Sequence, residues 1–197
     1  MTGHDLSGTA NGAPSTQDDD DDVLQAARVF RQALEAMADP GAIVTLPDCP
    51  APAPLSPAAG ALVVALADET TPIHLAGGHN TRAVRGWLRE RLGAKLVTAQ
   101  EAELAIGTWE SLSPVGRFGT GSADAPESSA TLIVELDMLK PEGALLLGAD
   151  GAERPLSLPE TDAFVENAAL SPLGLDFFLT SGTLMAALPR GAQVRRD

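Results

Sequence analysis

Residues 56–93 read SPAAGALVVALADETTPIHLAGGHNTRAVRGWLRERLG, and this stretch decides the fold class. Ser56 followed by Pro57 marks a helix start, an oxygen that can cap and a ring that already holds the first-turn φ. The helix it predicts, Ala58 to Leu66, is apolar nearly all round and so is expected in the interior. Asp68 to Pro72 is turn-forming sequence, and Ile73 to Leu75 is a short strand. Asn80 or Thr81 then caps a second helix running to Leu92, which Gly93 ends. Its inward residues are Val84, Trp87, Leu88 and Leu92; Arg82, Arg85, Arg89 and Arg91 point outward. Helix, strand and helix in one short stretch is the rhythm of an α/β protein.

Upstream, Val23 to Ala38 has helical periodicity. Val23, Ala27, Phe30, Leu34 and Met37 recur at steps of four and three on one apolar stripe, with Arg28, Arg31, Gln32 and Glu35 elsewhere on the wheel. Pro40-Gly41 stops this helix, and Ala42 to Leu46 reads as a strand. Residues 1–22 are expected to be a disordered acidic tail, because Asp18 to Asp22 is a self-repelling run. Asp21 or Asp22 would cap the helix that follows. Pro47 to Pro57 holds five prolines and predicts a stiff connector.

Downstream, Lys95 to Thr98, Leu104 to Ile106, Thr131 to Leu136, Gly143 to Leu147 and Pro155 to Leu158 are strand candidates. Gly116 to Ser129 is loop-like, and Asp162 to Ala168 is a short helix. Leu175 to Thr180, a Ser181-Gly182 turn, and Thr183 to Leu188 make the clearest hairpin. The expectation is one α/β domain over residues 23–197, a mixed sheet with flanking helices. The terminal hairpin would leave an edge strand open to self-pairing.

Charge narrows the function classes. Thirteen basic against 27 acidic residues give a net charge of −14, which opposes binding to nucleic acid and to anionic lipid. Cys49 is the lone cysteine, so disulfides cannot build the fold. The longest uncharged apolar run, Ala58 to Ala67, is about half of what spans a bilayer, and no secretory signal pattern opens the chain. A cytoplasmic protein is expected.

Several mechanisms fail on spacing. Lys95 follows Ala94 and Lys140 follows Leu139, so there is no Walker phosphate loop. Asp124 stands where a dinucleotide fingerprint needs its third glycine. Neither a Gly-x-Ser-x-Gly elbow nor paired-cysteine or His-Glu-x-x-His metal spacing occurs. His74 and His79 flank Gly77-Gly78; packing histidines are the simpler reading, an anion or metal site the sharper one. Cys49, among prolines and with no nearby base, reads as inert. Arg117, inside Gly116 to Gly121, could offer a guanidinium to phosphate, although a surface loop accounts for it. Asp68 and Asp176 stand at element ends; a partly buried Asp176 needs a partner, and Arg190 is placed to be one. Arg82, Arg85 and Arg89 share one helix face, the densest candidate for a polyphosphate or a subunit contact.

Four segments together resemble one family. Phe30-Arg31-Gln32-Ala33-Leu34-Glu35-Ala36-Met37-Ala38-Asp39-Pro40-Gly41 looks like the opening of the H subunits of bacterial carbon–phosphorus lyase, the PhnH family. Ala65 to Leu75, with its Asp68 and Thr71-Pro72, is similar to that family's helix–Asp–Thr-Pro–strand segment. Ser128 to Val134 resembles its central strand. Pro172-Leu173-Gly174-Leu175-Asp176-Phe177-Phe178-Leu179, then Ala187-Leu188-Pro189-Arg190, resembles its C-terminal signature. The likeness runs over about residues 25–194 in order.

The resemblance implies a fold like that of pyridoxal-phosphate-dependent transferases without the cofactor. It implies a role, with G, I and L partners, in forming ribose 1-methylphosphonate 5-triphosphate from ATP and an alkylphosphonate, and a J-type subunit among the partners of the whole system. ATP is then used at the level of the complex, and the iron–sulfur step that cleaves the carbon–phosphorus bond lies on another subunit. Neither Lys95 nor Lys140 has a phosphate cup beside it, so no pyridoxal phosphate is expected, nor a metal. The contact residues to test are Asp68, Thr71, Arg85, Arg89, Arg117, Asp176 and Arg190. Two other classes stay open. One is a stand-alone transferase or hydrolase with Asp68 or Asp176 as base and Arg117 or Arg190 for the anion; the other is a homodimeric binding protein without chemistry.

Overall fold

The computed structural model describes residues 16–148 and 150–196, and for residues 16–20 the backbone. The first helix, α1, spans Thr16–Ala38. The expected tail over residues 1–22 therefore lies outside the described residues up to residue 15, and from Thr16 the chain is already helical. Asp21 and Asp22 are not caps but interior helix positions, and Asp22 pairs with Arg91 at 2.6 Å.

The elements then follow in order: β1 (Val44–Thr45), α2 (Pro57–Leu66), β2 (Pro72–Leu75), α3 (Arg82–Leu92), β3 (Lys95–Leu96), β4 (Leu104–Thr108) and the single turn α4 (Trp109–Leu112). After these come β5 (Thr131–Glu135), β6 (Ala144–Leu147), β7 (Glu153–Leu156), α5 (Thr161–Ala168), β8 (Asp176–Ser181), β9 (Leu184–Leu188) and β10 (Val194–Arg195). The local signals act as expected. Ser56 Oγ accepts from the Ala59 N–H, Thr81 Oγ1 accepts from the Val84 N–H, and Gly93 closes α3 in the left-handed region. α4 and β10 had no signal strong enough to predict them.

Seven strands form a mixed sheet in the order β1-β9-β8-β5-β4-β2-β3. From β3 to β8 every pairing is parallel; β9 and β1 add an antiparallel margin. β1 covers the outer side of β9, so the hairpin does not leave the free edge expected of it. Both true edges, β1 and β3, are two residues long, too short to template another chain. Three further strands, β10-β6-β7, form a small antiparallel sheet.

Both faces of the large sheet are buried, which is why its strands are apolar throughout. Leu104, Ile106, Ile133, Phe178, Met185 and Ala187 face α1, α2 and α3. Their neighbours in sequence, including Leu132, Val134, Phe177, Leu179 and Leu188, face the small sheet and α5, as a two-residue repeat requires. There Trp109 stacks on Phe164 at 5.1 Å between ring centres.

α1 departs most from expectation. Its core face is Val29, Ala33 and Ala36, all buried against α2. Most of the stripe read as its apolar side points to solvent instead, Val23 being 69% exposed, Phe30 45% and Leu34 55%, while Met37 at its end is half-buried against the core. Small residues win the inner face because α2 also offers Ala58 and Ala61 there, and alanines let two helix backbones approach.

Candidate functional site

Open parallel sheets bind ligands outside the carboxyl ends of their strands, where the strand order reverses. Here that point lies between β2 and β4, because β3 returns to one side of β2 and β4 to the other. The loops after β2 and β4 close tightly on each other: a Cβ on Gly107 would lie 2.6 Å from Ser111 Oγ and 2.8 Å from Ala76 Cβ.

Glu135, the last residue of β5, is the centre of this edge. One carboxylate oxygen accepts from the Ser56 N–H at 2.7 Å, at the start of α2; the other accepts from Thr180 Oγ1 of β8 at 3.1 Å. His79, on the loop after β2, stands with Nε2 3.9 Å from Glu135. His79 is only 3% exposed, and neither ring nitrogen has a hydrogen-bond partner among the described residues. Burial pushes its pKa below 6.5, with the Glu135 charge pulling the other way. The pair can share a proton once it closes by about 1 Å to hydrogen-bonding distance. In front of Glu135 opens a cleft of about 310 Å³ lined by Thr108, Trp109, Asp137 and Met138 among others. Trp109, on its wall, donates from Nε1 to Glu160 at 3.1 Å. The described residues gather no group of three or more His, Cys, Asp and Glu side chains able to hold a metal ion.

Most residues singled out by sequence lie elsewhere. Asp176 begins β8 at the opposite, amino end of the sheet. It accepts from the Arg190 backbone N–H at 2.7 Å and pairs with the Arg190 guanidinium at 2.5 Å, both side chains about four-fifths buried. Arg190 also donates to the Pro126 carbonyl. The preceding Gly174 has φ 114°, a conformation that excludes a side chain. Buried Asn167 then pairs both amide atoms with the Leu175 backbone. This accounts for the Pro-Leu-Gly-Leu-Asp…Pro-Arg pattern as a brace.

Asp68 closes an exposed turn. One carboxylate oxygen accepts from the hydroxyls and backbone N–H groups of Thr70 and Thr71, holding its pKa below the ordinary 3.8, with the Thr70 hydroxyl contributing most. Thr71 also lines an amino-end cleft of about 250 Å³ whose charged walls are Glu103 and Glu127. Arg117 donates to the Ser111 carbonyl and lies 5.2 Å from the Phe118 ring centre. Arg85 donates to Asn80 at 2.9 Å; with Arg82 and Arg89 it stands exposed on α3, and among the described residues none of the three meets a carboxylate. His74 is a packing residue, bonded to the Val97 carbonyl at 3.0 Å with its ring against Phe118. Burial raises the Cys49 thiol.

Sequence reading missed Glu135, Ser56 and Thr180 as parts of one site. The signal that could have found Glu135 is a carboxylate ending an apolar strand in a parallel sheet.

The geometry can be set beside known proteins. The family model described as bacterial phosphonate metabolism protein (PhnH) matches residues 17–195. The chain is 31% identical, over 188 residues, to the alpha-D-ribose 1-methylphosphonate 5-triphosphate synthase subunit PhnH of Rhizobium meliloti (strain 1021). That alignment covers 90% of this chain and 94% of the relative. The match runs from α1 through β10 and takes in both ends of the sheet, so this chain belongs to the PhnH family.

Proposed function

We propose that this chain is a subunit of an alpha-D-ribose 1-methylphosphonate 5-triphosphate synthase, supporting formation of that compound from ATP and an alkylphosphonate in the cytoplasm. The observation that carries it is the extent of the likeness to a subunit so named, 90% of one chain and 94% of the other. In this reading subunits of the G, I, J and L types hold the chain and bear the reactive machinery, and the isolated chain pairs with a second copy. Asp68, Asp176 and Arg190 have their partners within the chain, which supports structural roles for them. Arg85 and Arg89, with Arg82, are the contacts we carry forward, as exposed cations that meet no carboxylate among the described residues. The same proposal includes a fold akin to pyridoxal-phosphate-dependent transferases without that cofactor: exposed Lys95 begins the edge strand β3, and Lys140 pairs with Glu142 at 3.7 Å.

Reconstitution tests this. The chain together with its partner subunits should convert ATP and methylphosphonate, and omitting it should abolish turnover. Turnover by the chain alone would overturn the assignment. One observation favours a variant of this reading. His79, buried beside Glu135 and without a hydrogen-bond partner among the described residues, supports a contribution of one proton-holding group to the assembly's reaction.

A further inference from the structure

The helices on one face of the sheet and the proline-rich connector enclose a cavity of about 240 Å³. Its apolar wall is built by Val29 of α1, Ala61 and Val64 of α2, Trp87 of α3 and Pro50 of the connector. The connector is pressed onto α2, where a Cβ on Gly60 would lie 2.5 Å from Ala51 Cβ and 3.3 Å from Cys49 Sγ. Gln25 Nε2 donates to the Asp48 carbonyl at 3.1 Å and straps α1 to the same segment. These contacts hold the space open as a preformed pocket. A dry cavity of about 150 Å³ takes benzene, so this one has room for a ring and a short polar arm.

Charge meets this wall at one place. Arg91 and Asp22 both line the cavity, and their ion pair closes at 2.6 Å through Nη2 of the arginine. The Nε and Nη1 groups of Arg91 donate to nothing among the described residues. Both side chains are about half exposed, where an ion pair is weak and readily displaced. Cys49 stands on the same wall.

We propose that this cavity binds a small amphiphilic anion, its ring-sized apolar body among Val29, Val64 and Trp87 and its oxyanion head on Arg91 in place of Asp22. The Asp22 carboxylate, already seated on the guanidinium, is then the chain's own stand-in for that head. A planar guanidinium fork matches any head that offers two oxygens, so carboxylates and phosphonates share the required chemistry. The proposal goes beyond the synthase reading and does not rest on it.

The test uses the full chain, with phenylacetate and phenylphosphonate as probes and benzyl alcohol as the neutral control. Calorimetry should show the anions binding at least about 10-fold more tightly than the alcohol. Each anion that binds should slow iodoacetamide alkylation of Cys49, the only thiol in the chain. Arg91→Gln should weaken binding about 10-fold, and Asp22→Asn should tighten it about 3-fold by removing the competing carboxylate. Opposite signs at two paired residues separate this effect from simple damage to the fold, which would weaken binding in both variants. No binding of either anion, binding without protection of Cys49, or equal affinity for benzyl alcohol overturns the proposal. So does weaker binding in Asp22→Asn. Binding of one anion but not the other supports the proposal and identifies the head group.

Discussion

The two ends of the parallel sheet treat buried charge in opposite ways. At the amino end Asp176 and Arg190 meet through both carboxylate oxygens, a backbone N–H and a carbonyl, and little polar capacity is left over. At the carboxyl end Glu135 is held by Ser56 and Thr180, but His79 beside it is buried with neither nitrogen paired among the described residues. A completed network braces the fold; an incomplete one destabilises it and marks where a ligand, partner or proton would be accommodated. Sequence reading placed its candidate chemistry mainly at the braced end.

Opposite responses to polar-to-apolar substitution would sharpen this contrast. Arg190→Met should have the largest effect, destabilising the chain by about 3 kcal/mol in a urea melt, because it strands the Asp176 charge in a mostly buried site. If the loss matched that of an exposed arginine, the brace would not exist. At the other end His79→Phe should raise stability by about 1 kcal/mol, since an apolar ring of similar shape replaces nitrogens that have no partner among the described residues. A destabilised variant would mean that His79 has a partner after all.

pH separates the ends further. The folded pKa of His79 lies below 6.5, so between the two values the unfolded chain binds more protons; stability rises with pH across that window and is lost as pH falls from 6.5. Asp68 and Asp150 are lowered from 3.8, Asp150 to about 2, so their contributions hold above 3.8 and fade as pH falls toward 2. His79→Phe should flatten the upper slope in melting temperature and leave the lower one unchanged. Arg85→Ala with Arg89→Ala should move stability least, within about 0.5 kcal/mol, because both are exposed on α3. Loss of partner binding without loss of stability would assign that face to assembly.

Much of the framework was legible because its signals are local. The Ser56 and Thr81 caps, the Gly93 stop and the Gly182 hairpin turn each depend on neighbours within four residues, and each stands where the sequence put it. The partnership of Asp176 with Arg190 was also legible, since the hairpin that links them sets their separation. His79 and Glu135 were not legible as a pair. They lie on different strand ends, and only a parallel order in which β4 separates β2 from β5 brings them to 3.9 Å. The same limit applied to α1.

The amino-acid order by itself therefore determined most of the helices and strands, that the domain is α/β, and that α1 has an apolar stripe at steps of four and three. Tertiary structure alone decided which face of α1 turns inward. A stripe of Val, Phe and Leu and a stripe of Ala and Val are both apolar, and periodicity cannot rank them. Close packing against the alanines of α2 can, because only the smaller stripe lets the two backbones approach, and the larger one is left facing out.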